Sequence, residues 1–140
     1  MPADIETTRK AVEDYFEAIQ QVNAKGIEEA LAFMSEDVLW ENPYAIKQGG
    51  RFVGKQAVRD LLTTAIAEVY VPNSMKQFGR KTICEGNRAV CVFDTTAMTK
   101  RGREYRQHFA IEFEVNDEGK LSFIRENFDT LLFHNIVYGD

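Results

Sequence analysis

The chain is poor in the residues that build several common kinds of site. It has two histidines and two cysteines among 140 residues. Neither His108 nor His134 has a partner at metal-ligand spacing, so no metal is expected. Cys84 and Cys91 lack the paired spacing of a zinc or redox motif and are expected as reduced, buried thiols in neighbouring strands. No apolar run approaches the roughly 18 residues of a membrane-spanning helix, so no membrane partner is expected. No phosphate-cradling loop occurs either, because "GGRFVG" (49–54) lacks the strand and lysine context such a loop needs. Positive charge is in deficit: 17 Lys and Arg against 22 Asp and Glu give a formal net charge of −5. That balance repels phosphates and argues against a nucleic-acid partner. The densest basic group, Lys100, Arg101 and Arg103, flanks Gly102 and reads as a solvated hairpin tip. The opening stretch MPADIETTRK has no basic segment followed by an apolar one, so no secretory signal is read and a cytoplasmic location is expected.

What the sequence does contain is the material for one domain over residues 1–140, with 44% apolar residues. From Asp4 to about Val22 the residues Ile5, Val12, Tyr15, Phe16, Ile19 and Val22 recur at helical spacing, with Asp4 as a candidate cap. A second, short helix is expected over 27–34 and a strand over 38–42, stopped by Pro43. Residues 44–53 read as a loop. A third helix follows over 54–70, carried by Ala57, Val58, Leu61, Leu62, Ala65 and Ile66. Beyond Pro72 the period becomes two, giving strands near 75–84, 88–99, 103–115 and 120–130 separated by turn-forming triplets and a quartet. Helices at the front and strands at the back predict an α+β domain with helices covering one face of a curved antiparallel sheet.

This order, with "AVEDYFEAI", "LWENP", "GRFVGKQAVRDLL" and "YRQHFAIEFEVNDEGKLSFIRENFD", resembles the nuclear-transport-factor-2-like superfamily, in particular its SnoaL-like (polyketide-cyclase-like) small enzymes. The resemblance implies a cystatin-like cone of order ααβαββββ, three N-terminal helices packed on a strongly curved, mostly antiparallel sheet around an apolar cavity. It also implies a homodimer formed through the outer sheet face, and no cofactor.

Strand parity then nominates a site. On the strand 103–115, Gln107, Phe109, Ile111 and Phe113 share one side, and the opposite choice would bury two glutamates without evident partners. On the last strand Ile124, Glu126 and Phe128 form the more apolar row, so Glu126 is expected to point inward. The resemblance agrees, since limonene-type epoxide hydrolases and phenazine-pathway relatives carry a functional acid at this position. Burial raises a carboxyl pKa toward neutrality, where the group can both give and take a proton. A structural role remains open, in which Glu126 bonds a backbone group, Arg125 or Arg106.

Trp40 and Asn42 share a face of the first strand. By resemblance Asn42 matches an asparagine that helps hold water in the epoxide hydrolases, whereas an indole donates one hydrogen bond and accepts none, so Trp40 reads as cavity wall or core. In ketosteroid-isomerase-like relatives this asparagine is an aspartate base, which disfavours a simple isomerase of that type. Asp94, Thr96 and Met98 share a face of the strand 88–99. Registered against the epoxide hydrolases, Asp94 and Thr96 break the acid-arginine-acid pattern, which disfavours epoxide hydrolysis. Asp94 is expected either to pair with Glu126 in the pocket or to meet a basic side chain elsewhere. The histidine and serine of the phenazine relatives correspond to Leu61 and Ala65.

The expected site therefore comprises Glu126, Asp94 and Asn42 as catalytic groups. Tyr15, Trp40, Thr96, Met98, Gln107, Phe109, Ile111 and Phe128 are expected against the substrate. Two functions are weighed: acid-base catalysis, as a cyclase, dehydratase or isomerase, on a small apolar, cyclic or aromatic metabolite, and a non-catalytic ligand-binding or dimerisation module.

Overall fold

The computed structural model describes residues 3–20 and 23–140, apart from the side chain of Ile66. Val22 and that side chain, both expected on helical faces, lie outside the described residues. Helix α1 (Ile5–Ala18) starts where Asp4 accepts a hydrogen bond from Thr7 N at 2.7 Å, which satisfies one of the orphan amides of its first turn. Its inward face carries Thr8, Val12, Tyr15 and Phe16. Thr8 Oγ1 lies 2.8 Å from both Asp4 O and Gly86 O. That contact ties the helix to the turn between the third and fourth strands. Gly86 holds φ 58° in this turn, a conformation that costs glycine little. Helix α2 (Ala24–Leu31) begins earlier than its apolar pattern suggests, because Asn23 caps it through Gly26 N at 3.0 Å.

Strand β1 (Met34–Asn42) ends at Pro43 as expected but starts sooner, since Ser35 and its neighbours extend across a register shift instead of interrupting the chain. The segment expected as a loop contains a short strand, β2 (Gly50–Val53), paired antiparallel with β1. Helix α3 (Lys55–Val69) follows, then β3 (Lys76–Glu85), β4 (Arg88–Met98), β5 (Glu104–Val115) and β6 (Leu121–Phe128). The tail adds α4 (Thr130–Val137), capped by Asp129 through Leu132 N at 3.0 Å. The expected order is thus present with one strand and one helix added. Both were hidden in sequence by their brevity, and apolar runs of this length do not separate helix, strand and loop.

The six strands form one sheet in the order β2-β1-β6-β5-β4-β3. All neighbours run antiparallel except β1 and β6, which are parallel. Register shifts in the β1–β6, β3–β4 and β5–β6 pairs mark irregularities of the kind that bend a sheet. α1 packs across β3, β4 and β5, while α3 covers β1 and β2. The main core fills the space between, around Phe16, Trp40, Val58, Phe113 and Ile124. A second cluster of Val69, Ala97, Tyr105, Phe133 and Val137 seats α4 against β5.

The basic turn after β4 is more than a solvated tip. Arg103 Nη1 donates to Asn135 O at 3.0 Å and to Gly139 O at 2.7 Å, and Arg101 Nη1 donates to Val137 O at 3.3 Å. These guanidinium groups satisfy carbonyls that the end of α4 would otherwise leave open, and their charge complements the helix dipole. Among the described residues no helix is long and apolar enough to cross a membrane.

Candidate active site

The inward rows of the sheet follow from pairing. Glu126 of β6 stands opposite Ile111 of β5, which stands opposite Cys91 of β4. The next row is Phe128, Phe109 and Phe93, and the one beyond it is Gln107, Thr95 and Gln77. Apart from Cys91 and Gln107, these rows join α1, α3, α4, β1 and the β1–β2 connection in lining a pocket of about 130 Å³. The phenylalanines form its floor: Phe93 and Phe109 stack at 5.4 Å with 11° between their planes, and Phe128 leans on Phe109 at 5.0 Å. Leu61, Leu62 and Ala65 of α3 contribute apolar wall.

Glu126 lines this pocket, partly accessible from it. Among the described residues its carboxyl has no hydrogen-bond or ion-pair partner. Arg125 is held by Glu41 at 2.7 Å on the other face of the sheet, and Arg106 by Glu104 at 3.4 Å. The structural role considered for Glu126 therefore lacks its partners. Burial is the sole cause that moves its pKa, raising it from 4.5 to about 7, because an apolar surrounding disfavours the charged form. Tyr15, buried on α1 at the same pocket, is held protonated well above the ordinary phenol range, first by burial and then by the nearby Glu126 charge. Tyr70 at the end of α3 is shifted the same way by burial, Tyr105 and Glu126. Two neutral phenols thus share the pocket with one tunable acid.

Trp40 and Asn42 also line the pocket. Trp40 Nε1 donates to Asn42 Oδ1 at 2.8 Å, and Asn42 Nδ2 donates to Gln48 O at 3.0 Å. Gln48 Nε2 reaches the Tyr138 hydroxyl beyond α4. This chain fixes the Asn42 amide plane and connects the β1–β2 connection to the C-terminal segment. Phe109, Ile111 and Phe128 occupy the wall positions expected of them.

Four expectations need correction. Asp94, Thr96 and Met98 face outward, because their cross-strand partners are His108, Arg106 and Glu104, the outer row of β5. Asp94 contacts His108 Nδ1 there, so it cannot share the pocket with Glu126. His108 itself lies outside, as parity predicts. Gln107 faces inward but is absent from the pocket wall. Its Nε2 donates to Tyr105 Oη at 3.1 Å and Asp129 O at 2.9 Å, and its Oε1 accepts from Asp129 N at 3.4 Å. Gln107 is a brace between β5 and the start of α4.

In exchange the structure supplies pocket residues that sequence reasoning missed: Gln48, Tyr70, Gln77 and Thr95. Gln48 Oε1, Gln77 Oε1 and Thr95 Oγ1 are buried without a hydrogen-bond partner. The signal for Thr95 was the β4–β5 turn, which pairs it with inward Gln107; Gln77 had none, because a register shift between Phe78 and Lys81 is what brings it opposite Thr95. Gln48 sat in an apparent loop and had no such signal. Among the described residues no three His, Cys, Asp or Glu side chains gather as metal ligands would. Cys84 and Cys91 are free thiols. Cys91 is buried and Cys84 only partly so.

A bent sheet closed by helices over an apolar pocket with few polar groups is the architecture of the nuclear-transport-factor-2-like proteins. The chain belongs to the SnoaL-like domain family, whose profile matches residues 12–124. No curated protein matches it significantly. Its structure is similar to that of TerC co-crystallised with polyporic acid, with TM-score 0.81, 22% identity and coverage of 94% of this chain and 98% of that one. It is also similar to an NTF2-like protein from Burkholderia xenovorans LB400, with TM-score 0.78, 22% identity and coverage of 95% and 97%. A protein proposed to be a polyketide cyclase, from Xanthomonas campestris pv. campestris, gives TM-score 0.78 at 19% identity over 95% and 98%. At such identities the likeness speaks for the fold.

Proposed function

We propose that the chain is a cofactor-independent enzyme performing general acid-base chemistry on a small apolar, cyclic or aromatic molecule held in the pocket. The observation that carries this reading is the Glu126 carboxyl, which faces an apolar pocket without a partner. With a pKa of about 7, the group is present in both forms near neutral pH. As carboxylate it takes a proton from carbon next to a ring carbonyl, leaving an enolate. As the acid thus formed it returns that proton to another carbon, which completes an isomerisation, or to a departing hydroxyl, which completes a dehydration. The neutral Tyr15 phenol is a hydrogen-bond donor suited to the enolate oxygen, and the Trp40–Asn42 pair lies beside Glu126 on the adjacent strand. Structural similarity to a protein proposed as a polyketide cyclase and to another proposed as an isomerase from Bacillus subtilis supports the reaction class. A cavity of about 130 Å³ suits a single ring, since an engineered apolar cavity of about 150 Å³ takes up benzene.

The test is deuterium exchange at carbon next to the carbonyl in a panel of small cyclic ketones, followed by proton NMR. Glu126→Gln is expected to keep the circular-dichroism spectrum and to lower exchange by roughly 10²–10⁴-fold. Unchanged exchange removes Glu126 from the chemistry and leaves a ligand-holding shell.

A homodimer through the outer sheet face is part of the same proposal. Phe78, Ile83, Val92 and Met98 are exposed on the β3–β4 region of that face, Ile83 at 65% and Phe78 at 49%. Exposed apolar groups gathered on one sheet face are characteristic of association surfaces.

A further inference from the structure

On the sheet wall formed by β3–β6, the pocket is polar in two separated rows, and only one of them holds the proton carrier. Glu126 lies in one cross-strand row, and the unpartnered Thr95 and Gln77 lie in another, with the phenylalanine row between them. Thr95 is 1% exposed, and its hydroxyl oxygen has no partner. Gln77 stands directly across from it on β3, on the same face, with Oε1 also unpartnered. Leaving two adjacent buried polar atoms unsatisfied is destabilising, a cost that a ligand group of the right chemistry removes.

We propose that Thr95 and Gln77 form an anchoring subsite for a ring hydroxyl, so that the substrate is a small monocyclic compound with its hydroxyl at the end opposite the carbonyl. This inference rests on the reading of Glu126 as the proton carrier. Gln77 Oε1 is an acceptor and is satisfied only by a donor. Thr95 Oγ1 both donates and accepts. A single hydroxyl can donate to Gln77 and accept from Thr95 at once, whereas a carbonyl would leave Gln77 Oε1 open. An ammonium would satisfy the acceptors but would bring an unpaired charge into an apolar pocket. The phenylalanine row gives the ring its seat. Along β5 the four steps from Gln107 to Ile111 correspond to about 14 Å of extended strand, and Glu126 and Thr95 also lie two strands apart. Both polar rows nevertheless line one pocket of about 130 Å³, a size that suits a single ring.

Binding separates this claim from the catalytic one. Isothermal titration with 4-hydroxyacetophenone, 3-hydroxyacetophenone and acetophenone reads the contribution of the hydroxyl and of its position. The 4-hydroxy compound is expected to bind wild type about tenfold more tightly than acetophenone, the scale of one good hydrogen bond, and more tightly than the 3-hydroxy isomer. Thr95→Val and Gln77→Leu are each expected to erase most of that preference, and Thr95→Ser to keep it. Glu126→Gln is expected to preserve the preference while losing exchange activity. Failure of the catalytic reading alone therefore shows as intact exchange with the preference still present. The inference is overturned if wild type binds the three probes equally or binds none, or if the preference survives in Thr95→Val. A Thr95→Val protein that does not fold shifts the decision to Gln77→Leu, whose unchanged preference overturns it equally.

Discussion

A carboxyl held at a raised pKa by burial alone should make the protein less stable as pH rises, and Glu126 allows that effect to be sized. Its pKa is 4.5 as an unperturbed group and about 7 in the fold. Between these values the native chain binds more protons at this site than the unfolded chain, so unfolding free energy falls with increasing pH. No penalty exists below about 4.5, and the full penalty is in force above about 7. A difference of about 2.5 units at 1.36 kcal/mol each gives about 3 kcal/mol, an upper value because the pocket opens partly to solvent. Glu126→Gln has no charge to bury. At pH 8 the variant is expected to melt higher than wild type, by as much as about 10 °C for a domain of this size. At pH 4.5 the two should melt within a degree or two of each other. Urea or thermal unfolding followed by circular dichroism, wild type and variant in parallel from pH 4.5 to 8.5, measures this. If the gap between the two curves does not grow with pH, the carboxyl is not desolvated and the basis for its proposed chemistry fails.

Other expectations follow from the same geometry. Asp94→Asn changes only the outer face and should leave deuterium exchange within twofold of wild type; a tenfold loss would mean that this carboxylate reaches the substrate after all. Arg103→Ala removes the donors to Asn135 O and Gly139 O, so backbone amides of α4 should exchange with solvent at least tenfold faster while those of β5 do not change. Equal protection in both proteins would show that the clamp is dispensable. Phe78→Lys or Val92→Glu should shift sedimentation toward monomer, and a wild-type chain that sediments as monomer at micromolar concentration would refute the dimer.

The fold was legible because its signals are redundant. Phe109, Ile111 and Phe113 alternate with Ala110, Glu112 and Glu114, so only one face of β5 can be buried, and on β6 the row of Ile124 and Phe128 carried Glu126 inward. β4 was harder. Val90 and Val92 are as apolar as Cys91 and Phe93, so composition leaves its parity undecided and only pairing decides it. Met98 pairs with Glu104 beside the turn, which forces Thr95 to share a face with Gln107. Reading β4 without that constraint put Asp94 on the wrong side. β2 and α4 escaped for another reason: each is too short to show a period, and each is held by partners distant in sequence, β2 by β1 and α4 by Arg101 and Arg103. Gln107 looked like a substrate contact because it shares a side with the wall residues. That side extends beyond the pocket to the start of α4, and no local pattern marks where one ends and the other begins.

The single parallel junction has a kinetic consequence. Every antiparallel pair joins neighbours along the chain, so the β3–β6 meander can zip from its turns, whereas Trp40 must find Ile124 across most of the polypeptide. Loop closure of that length makes it a candidate for the slow event in folding. The only tryptophan lies at this seam, 1% exposed. Its emission after dilution from denaturant would therefore time the closing of the sheet, while far-ultraviolet ellipticity follows the hairpins and helices that form before it.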